Sequence, residues 1–178
     1  MKSNLRMLTT SILLLVLMLL IQQPVSADGA ADFVITVKTD NPGPSTDTQF
    51  TIPTNSTGNN YNVDCNNDGT NEATGQTGVY ICEYGPSGLN TGAGTYTIRI
   101  EDNAGDGNGF SHINMLGSAD PQKLLSVEQW GTAEWATMYS AFTGCSNLTI
   151  NASDTPNLSV ATSMSQMFYL ATSMNSDI

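Results

Sequence analysis

The sequence predicts a mainly β chain with short helical turns, arranged as a small antiparallel β-sandwich followed by an incomplete solenoid. Three observations predict it: short runs of alternating apolar residues between positions 33 and 100, turn-forming residues between those runs, and self-similarity at a spacing of 26 residues after position 110.

The first element is not part of that fold. Lys2 and Arg6 precede an unbroken apolar run at residues 12–21, which ends at Gln22 and Pro24 and is followed by Val25, Ser26 and Ala27. The run is about half the roughly 20 residues a spanning helix needs, and small residues stand where signal peptidase prefers them. Residues 1–27 therefore read as a signal peptide, and the mature chain is expected outside the cell, secreted or at the surface, with no membrane insertion after cleavage. No Cys follows the cleavage site, which argues against a lipid anchor.

Removing the leader leaves Lys38, Arg99 and Lys123 against sixteen Asp and Glu. Three scattered bases cannot form the cationic face that phosphate backbones require, so nucleic acid is excluded as a partner. An acidic chain rich in Asn, Thr, Ser and Gly suits a protein that stays soluble outside the cell, where divalent cations are plentiful.

Residues 28–105 form the expected β unit. In T-Y-T-I-R-I, Tyr96, Ile98 and Ile100 point one way and Thr95, Thr97 and Arg99 the other. F-V-I-T-V-K, Q-F-T-I-P, Y-N-V-D-C and V-Y-I-C-E-Y read as further strands, with N-P-G-P, N-S-T-G-N-N and G-P-S-G as turns between them. Five strands in about seventy residues suit a compact sandwich. Residues 101–109, E-D-N-A-G-D-G-N-G, show no apolar periodicity and read as a linker. Residues 106–121 are assigned as linker or as the start of the repeats.

From 122 to 178 the self-similarity takes over. Sliding the chain by 26 residues places Met138 on Met164, Phe142 on Phe168 and Leu148 on Met174, with Cys145 on Ala171 as a matched small residue. The M-x-x-x-F spacing puts two side chains on one face of a short helical turn, and Leu148 with Ile150 can supply the short strand of the next unit. These six residues, Met138, Phe142, Leu148, Met164, Phe168 and Met174, are expected as repeat core. Such a unit cannot bury its apolar face alone and must stack on neighbours. About two units are present, so either further repeats in a longer parent chain or a partner is expected to cover the open end.

The run W-G-T-A-E-W-A-T-M-Y-S-A-F-T-G-C-S-N-L, residues 130–148, followed by D-T-P-N-L-S-V-A-T-S-M-S-Q-M-F, residues 154–168, resembles the BspA-like leucine-rich-repeat surface proteins. The upstream half is similar to the PKD-like β-sandwich that often precedes such repeats: a strand runs into an Asp-Gly turn at residues 63–70, and G-T-Y-T-I at 94–98 announces a later strand. Cys65 stands where that pattern usually has Trp. The resemblance implies an incomplete leucine-rich-repeat-like solenoid behind a PKD/Ig-like domain. It also implies adhesion or recognition of an extracellular protein or glycan ligand, and no catalysis.

Three cysteines remain in the mature chain. An exported protein meets an oxidising compartment, so pairing of Cys65 with Cys82 is expected, opposite each other if their strands are neighbours. Cys145 falls at a small-residue position of the repeat and reads as a buried free thiol. Between the paired cysteines lies D-C-N-N-D-G-T-N-E, residues 64–72. Asp64, Asn66 and Asp68 take the first three ligand positions of an EF-hand loop, Gly69 permits its sharp turn, and Thr70 and Glu72 supply the next two oxygens. The twelfth position, which needs a bidentate Glu, is Gly75, so a complete EF-hand is excluded. Two readings stay open: a calcium site completed by another oxygen, for instance from Glu83 or Glu101, and an Asx-rich turn that bonds its own backbone.

Catalytic motifs are absent and the chain holds a single His, which limits acid-base and zinc chemistry. The enzymatic alternative is a secreted glycan hydrolase using Glu128 and Glu134 beside Trp130 and Trp135. Those tryptophans read as repeat core, or as an interface if exposed. A further alternative is a structural spacer, or a truncated fragment without binding activity.

Overall fold

The computed structural model describes residues 29–54, 58–117 and 119–178; the expected signal peptide lies outside the described residues. The chain is mainly β, with a mixed six-stranded sheet and a separate two-stranded sheet. Its strands are β1 (Phe33–Lys38), β2 (Gln49–Ile52), β3 (Tyr61–Asp64), β4 (Ala73–Gln76), β5 (Tyr80–Glu83), β6 (Thr95–Asp102), β7 (Leu124–Gln129) and β8 (Thr149–Ile150). The large sheet runs β4-β3-β6-β1-β7-β8 and the small one pairs β2 with β5. Among the described residues the one helical element is a 3-10 turn, Pro121–Lys123.

β1 lies near the middle of the large sheet because F-V-I-T-V is apolar on both faces, and Phe33, Val34, Ile35 and Val37 are all buried. One edge pairs with β6 along its whole length, Phe33 opposite Ile100 and Lys38 opposite Thr95. The other edge would leave buried backbone groups unpaired, and β7 takes it, antiparallel, with irregularities after Val34 and Thr36. β7 then pairs parallel with β8, Ser126 opposite Thr149 and Val127 opposite Ile150. The segment that carries the 26-residue similarity is thus joined to the first half through one sheet.

The expected strands at β1, β2, β3, β5 and β6 form, and Leu148 with Ile150 leads into β8. On β6 the alternation holds for Ile98 and Ile100, but Arg99 on the opposite side is also buried, enclosed by carboxylates. Residues 101–109 differ from the linker expectation. Glu101 and Asp102 extend β6, and the Asp102 carboxylate accepts the N–H groups of Ala104 at 2.8 Å and Gly107 at 2.5 Å, closing a tight turn. The chain then covers the next segment: Gly107 and Ser111 carbonyls accept Glu134 and Ala136 N–H, and Phe110, Ile113 and Met115 are buried.

A single hydrophobic cluster connects Phe50 and Ile52 of the small sheet with Ile98 and Ile100 of the large one and continues to Leu148. Its centre is aromatic. Phe33 meets the edge of Trp135 at 5.0 Å between centroids, Phe110 meets Tyr61 at 5.0 Å, and Trp130 meets Phe142 at 6.0 Å.

Beyond β7 the chain forms successive turns instead of the expected short helical turn, and these turns recur. The N–H groups of Ala141, Thr143, Cys145 and Leu148 close turns onto the carbonyls of Met138, Ser140, Phe142 and Cys145. Met167, Tyr169, Ala171 and Met174 do the same onto Met164, Gln166, Phe168 and Ala171. Ser140 and Gln166 are both left-handed, φ 52° and 59°, as are Gly144 and Leu170, φ 77° and 61°. A left-handed residue between Met138 and Phe142 is what stops a helix from forming there. Side-chain hydrogen bonds Thr137–Ser163, Ser140–Gln166, Thr162–Ala136 and Thr172–Ser146 all span 26 residues.

Candidate functional site

The acidic loop begins where β3 ends. Asp64 is fully buried, sits opposite Arg99 of β6, and its carboxylate accepts the N–H groups of Asn66, Asp68 and Gly69 at 3.4, 3.2 and 2.8 Å. Left-handed Asn67 and Gly69 curl the chain around it. Asp68 accepts Thr70 N–H at 2.9 Å and the Asn66 amide at 3.0 Å, and Glu72 accepts Cys65 N–H at 2.5 Å. The Asx-rich turn of the sequence reading is therefore formed in full.

That turn also gathers oxygens. Asp64, Asp68 and Glu72 each offer a carboxylate oxygen, all within 4.8 Å of one another. A hard cation bound at 2.3–2.6 Å from each ligand needs roughly that mutual separation. The side-chain oxygens of Asn66 and Asn67 are buried beside this group with no hydrogen-bond partner, while Thr70 is exposed. Burial pushes the Glu72 carboxyl above the usual carboxylate range, and the charges of Asp64 and Asp68 add to the rise. The Asn66 amide holds the Asp68 carboxyl below its usual range. Glu83 and Glu101 do not join the cluster. Glu83 is engaged by Gln49, Thr48 and Gly85 N–H, and Glu101 by Asn62, Asn71 and Arg99.

Arg99 fixes the loop from behind. It pairs with Asp32 at 3.2 Å, Glu101 at 2.8 Å and Asp64 at 3.4 Å, so one guanidinium links the start of β1, the end of β3 and β6.

The disulfide Cys65–Cys82 forms, with 5.7 Å between Cα atoms and a sequence separation of 17. Its geometry differs from the neighbouring-strand expectation: Cys65 follows β3 of the large sheet and Cys82 lies on β5 of the small one, so the bond clips the two sheets together. The Tyr84 hydroxyl donates to the Cys65 carbonyl at 2.6 Å alongside it. Replacing both cysteines by Ala is expected to lower stability by about 3 kcal/mol, read as a reduced urea midpoint that reductant no longer changes. A midpoint equal to that of the oxidised wild type would sink this expectation. Cys145 is a buried free thiol, and burial pushes its pKa up, away from nucleophilic chemistry.

Of the expected repeat core, Met138, Phe142 and Leu148 are fully buried. Phe168 is half-buried and stacks on Phe142, 5.5 Å between centroids at 12°. Met174 is half-buried and Met164 is 57% exposed, so Met164 is not core: among the described residues no second layer lies over it as residues 163–169 lie over Met138. Trp130 and Trp135 are both fully buried, which removes them as interface residues and as a sugar platform between Glu128 and Glu134. Glu128 is held by Thr36, Ser126 and Asn151. The single His, His112, is buried, and burial lowers its pKa.

The sequence reading missed a cleft of about 420 Å³ where the end of β2 meets Asn114, Leu116 and Ala119. Val79, Leu116 and Tyr139 line it and are 57%, 54% and 40% exposed. They come from three separate stretches, so no local pattern announced the cleft. Among the described residues no helix is long and apolar enough to cross a membrane. No family model, curated protein or solved structure matches the chain.

Proposed function

We propose that the chain is an exported, non-catalytic protein of the cell surface or extracellular space. In this reading a PKD-like β-sandwich carries the opening coils of a BspA-like leucine-rich-repeat solenoid, and the coils serve adhesion or recognition of an extracellular protein or glycan. The observation that carries the reading is that turns and left-handed residues recur 26 residues apart and that side-chain hydrogen bonds join positions separated by the same 26 residues. Stacked coils repeat backbone path in this way, and their exposed faces are extended binding surfaces. The Cys65–Cys82 bond supports export, since such bonds persist in oxidising compartments.

The test is binding of the labelled oxidised chain, from Asp28 onward, to immobilised matrix proteins and to a glycan array. Saturable binding that survives Glu128→Gln and Glu134→Gln is the expected result. No binding by this chain, nor by a chain carrying additional coils, would leave the spacer reading in its place.

Within this reading calcium is held by Asp64, Asn66, Asp68, Thr70 and Glu72 and acts to rigidify the loop. With a dissociation constant on the order of 10⁻⁴ M, 1 mM calcium is expected to raise Tm by about 3–6 °C over chelator. The shift should vanish in Asp68→Ala, compared within each variant because Asp68 also holds the turn. It should also shrink on acidification. The Glu72 carboxyl takes its proton at a higher pH than a free carboxylate, and proton and cation compete for it. Equal melting curves with calcium and with chelator would make the loop a turn only.

A further inference from the structure

We infer that the free edge of β5, with the apolar outer face beside it, takes an extended segment of a partner protein as an added strand, a segment apolar at alternate positions and carrying Lys or Arg between them. The inference concerns the first half of the chain and does not rest on the repeat reading.

The pairing of β5 decides which backbone groups are free. Tyr84 N–H donates to the Thr48 carbonyl at 2.8 Å, so Thr48 with Tyr84, Phe50 with Cys82 and Ile52 with Tyr80 are the hydrogen-bonded pairs of the β2–β5 ladder. Thr51 with Ile81 and Gln49 with Glu83 are the alternate pairs, whose N–H and C=O groups point away from the partner strand. On the β2 side those outward groups are taken. The Asp120 carboxylate accepts Thr51 N–H, Lys123 donates to the Gln49 carbonyl and Asn114 N–H donates to the Pro53 carbonyl. On the β5 side the Glu83 carbonyl accepts Leu89 N–H, but among the described residues no hydrogen bond engages Ile81 N–H, the Ile81 carbonyl or Glu83 N–H.

Sheet edges are ordinarily blunted by charge, Pro, bulges or polar side chains. β4, the edge of the large sheet, is blunted in this way: its residues are polar or small, its register against β3 is irregular, and Gly75 is left-handed at φ 62°. β5 carries no Lys or Pro and pairs with β2 in regular register along its four residues. Ile81 is 47% exposed on its outer face, and Val79, just before the strand, continues that face into the cleft it shares with Leu116 and Tyr139. A strand added to β5 would lay every second side chain over Ile81 and Val79, which calls for apolar residues at those positions.

Charge names the rest of the occupant. Arg99 and Lys123 are buried, so Lys38 is the one basic side chain among the described residues that reaches the surface, and Asp40 pairs with it at 2.7 Å. Every described carboxylate except Asp32, Asp64 and Asp120 is at least partly exposed. Two of these flank the edge. Glu83 ends β5 on the outer face, and Glu72 lies toward the opposite face, where burial and then the Glu72 charge push the Tyr80 hydroxyl above its ordinary pKa. A second copy of the chain would bring the same carboxylates and no free cation to this edge, whereas a cationic segment is attracted to it on both faces.

The probe is a capped synthetic peptide with valine at alternate positions and lysine or threonine between them, added to the oxidised chain in chelator. Saturable binding is expected by fluorescence anisotropy, weakening as salt is raised, with the amides of Ile81 and Glu83 exchanging at least about tenfold more slowly in the complex. The same peptide N-methylated at alternate residues cannot pair along an edge, and one with glutamate for lysine keeps the backbone but reverses the charge. Both should bind at least about tenfold more weakly. Ile81→Lys should abolish binding while keeping the wild-type urea midpoint, since the side chain it replaces is exposed. The methylated peptide tests the edge without altering the protein. No binding of the lysine peptide, equal binding of the methylated or glutamate peptide, or a dimer by light scattering in which the Ile81 amide is already protected would overturn the inference.

Discussion

Replacing Lys123 by Met is expected to cost roughly 3–5 kcal/mol, enough to unfold a large share of molecules of a domain of ordinary stability. Lys123 and Asp120 are both fully buried, with Nζ 4.0 Å from the carboxylate. The ammonium donates to the Ser45 hydroxyl and the Thr46 carbonyl at 2.7 Å and to the Ser45 and Gln49 carbonyls at 3.1 Å. Asp120 in turn accepts Ser45 N–H at 3.0 Å and Thr51 N–H at 2.9 Å. The pair thus fastens the β1–β2 connection to the turn that opens β7. Methionine keeps the volume but leaves a buried carboxylate without its cation and takes one donor from each of the Ser45, Thr46 and Gln49 carbonyls. Urea denaturation should show the loss, and adding Asp120→Asn should recover part of it. A change below about 1 kcal/mol in the single variant would show that water replaces the ammonium, and the fastening would have no weight.

The second large effect is expected at Gly131. Its φ of 68° is left-handed, and a Cβ there would fall inside van der Waals contact of the Ala31 and Asp32 carbonyl oxygens. Gly131→Ala should therefore cost about 2–5 kcal/mol, combining the left-handed penalty with backbone displacement. Gly144→Ala is the internal control. Its φ of 77° is also left-handed, but its Cβ would meet only Pro121 at 3.6 Å, an ordinary contact. About 1–2 kcal/mol is expected there. Equal midpoints for the two variants would mean that the approach of residues 31 and 32 to Gly131 is looser than drawn.

The strands with alternating side chains were legible because alternation is a local property, whereas the central position of β1 follows only from its two partners. β4 was not legible: A-T-G-Q offers no alternation, and it pairs only because β3 presents an edge after the loop at Asp64. β7 was missed for a different reason. L-L-S-V-E-Q reads as part of the downstream segment, and its antiparallel partner lies far upstream in β1. In the acidic loop the residue types and their spacing were enough to place Asp64, Asp68 and Glu72 together. The burial of Arg99 behind it was not readable, since a charged residue on an alternating strand is read as solvent-facing. The two tryptophans read as repeat core or, if exposed, as interface, and the packing of Phe33, Phe110 and Phe142 around them decides for core.

The register of β1 against β7 has a mechanical consequence. Val34 pairs with Gln129, so the chain enters β1 and leaves β7 at the same end of the ladder. Tension applied between the start of β1 and the end of β7 would therefore peel that ladder open one rung at a time rather than shear all its bonds together. The first rungs are guarded by a clasp, in which the Gln129 amide holds the carbonyls of Gly29 and Asp32 at 2.7 and 2.8 Å and Thr132 N–H holds Ala31 at 3.0 Å. Loaded in that way the chain would yield at this corner while the disulfide keeps the two sheets clipped together.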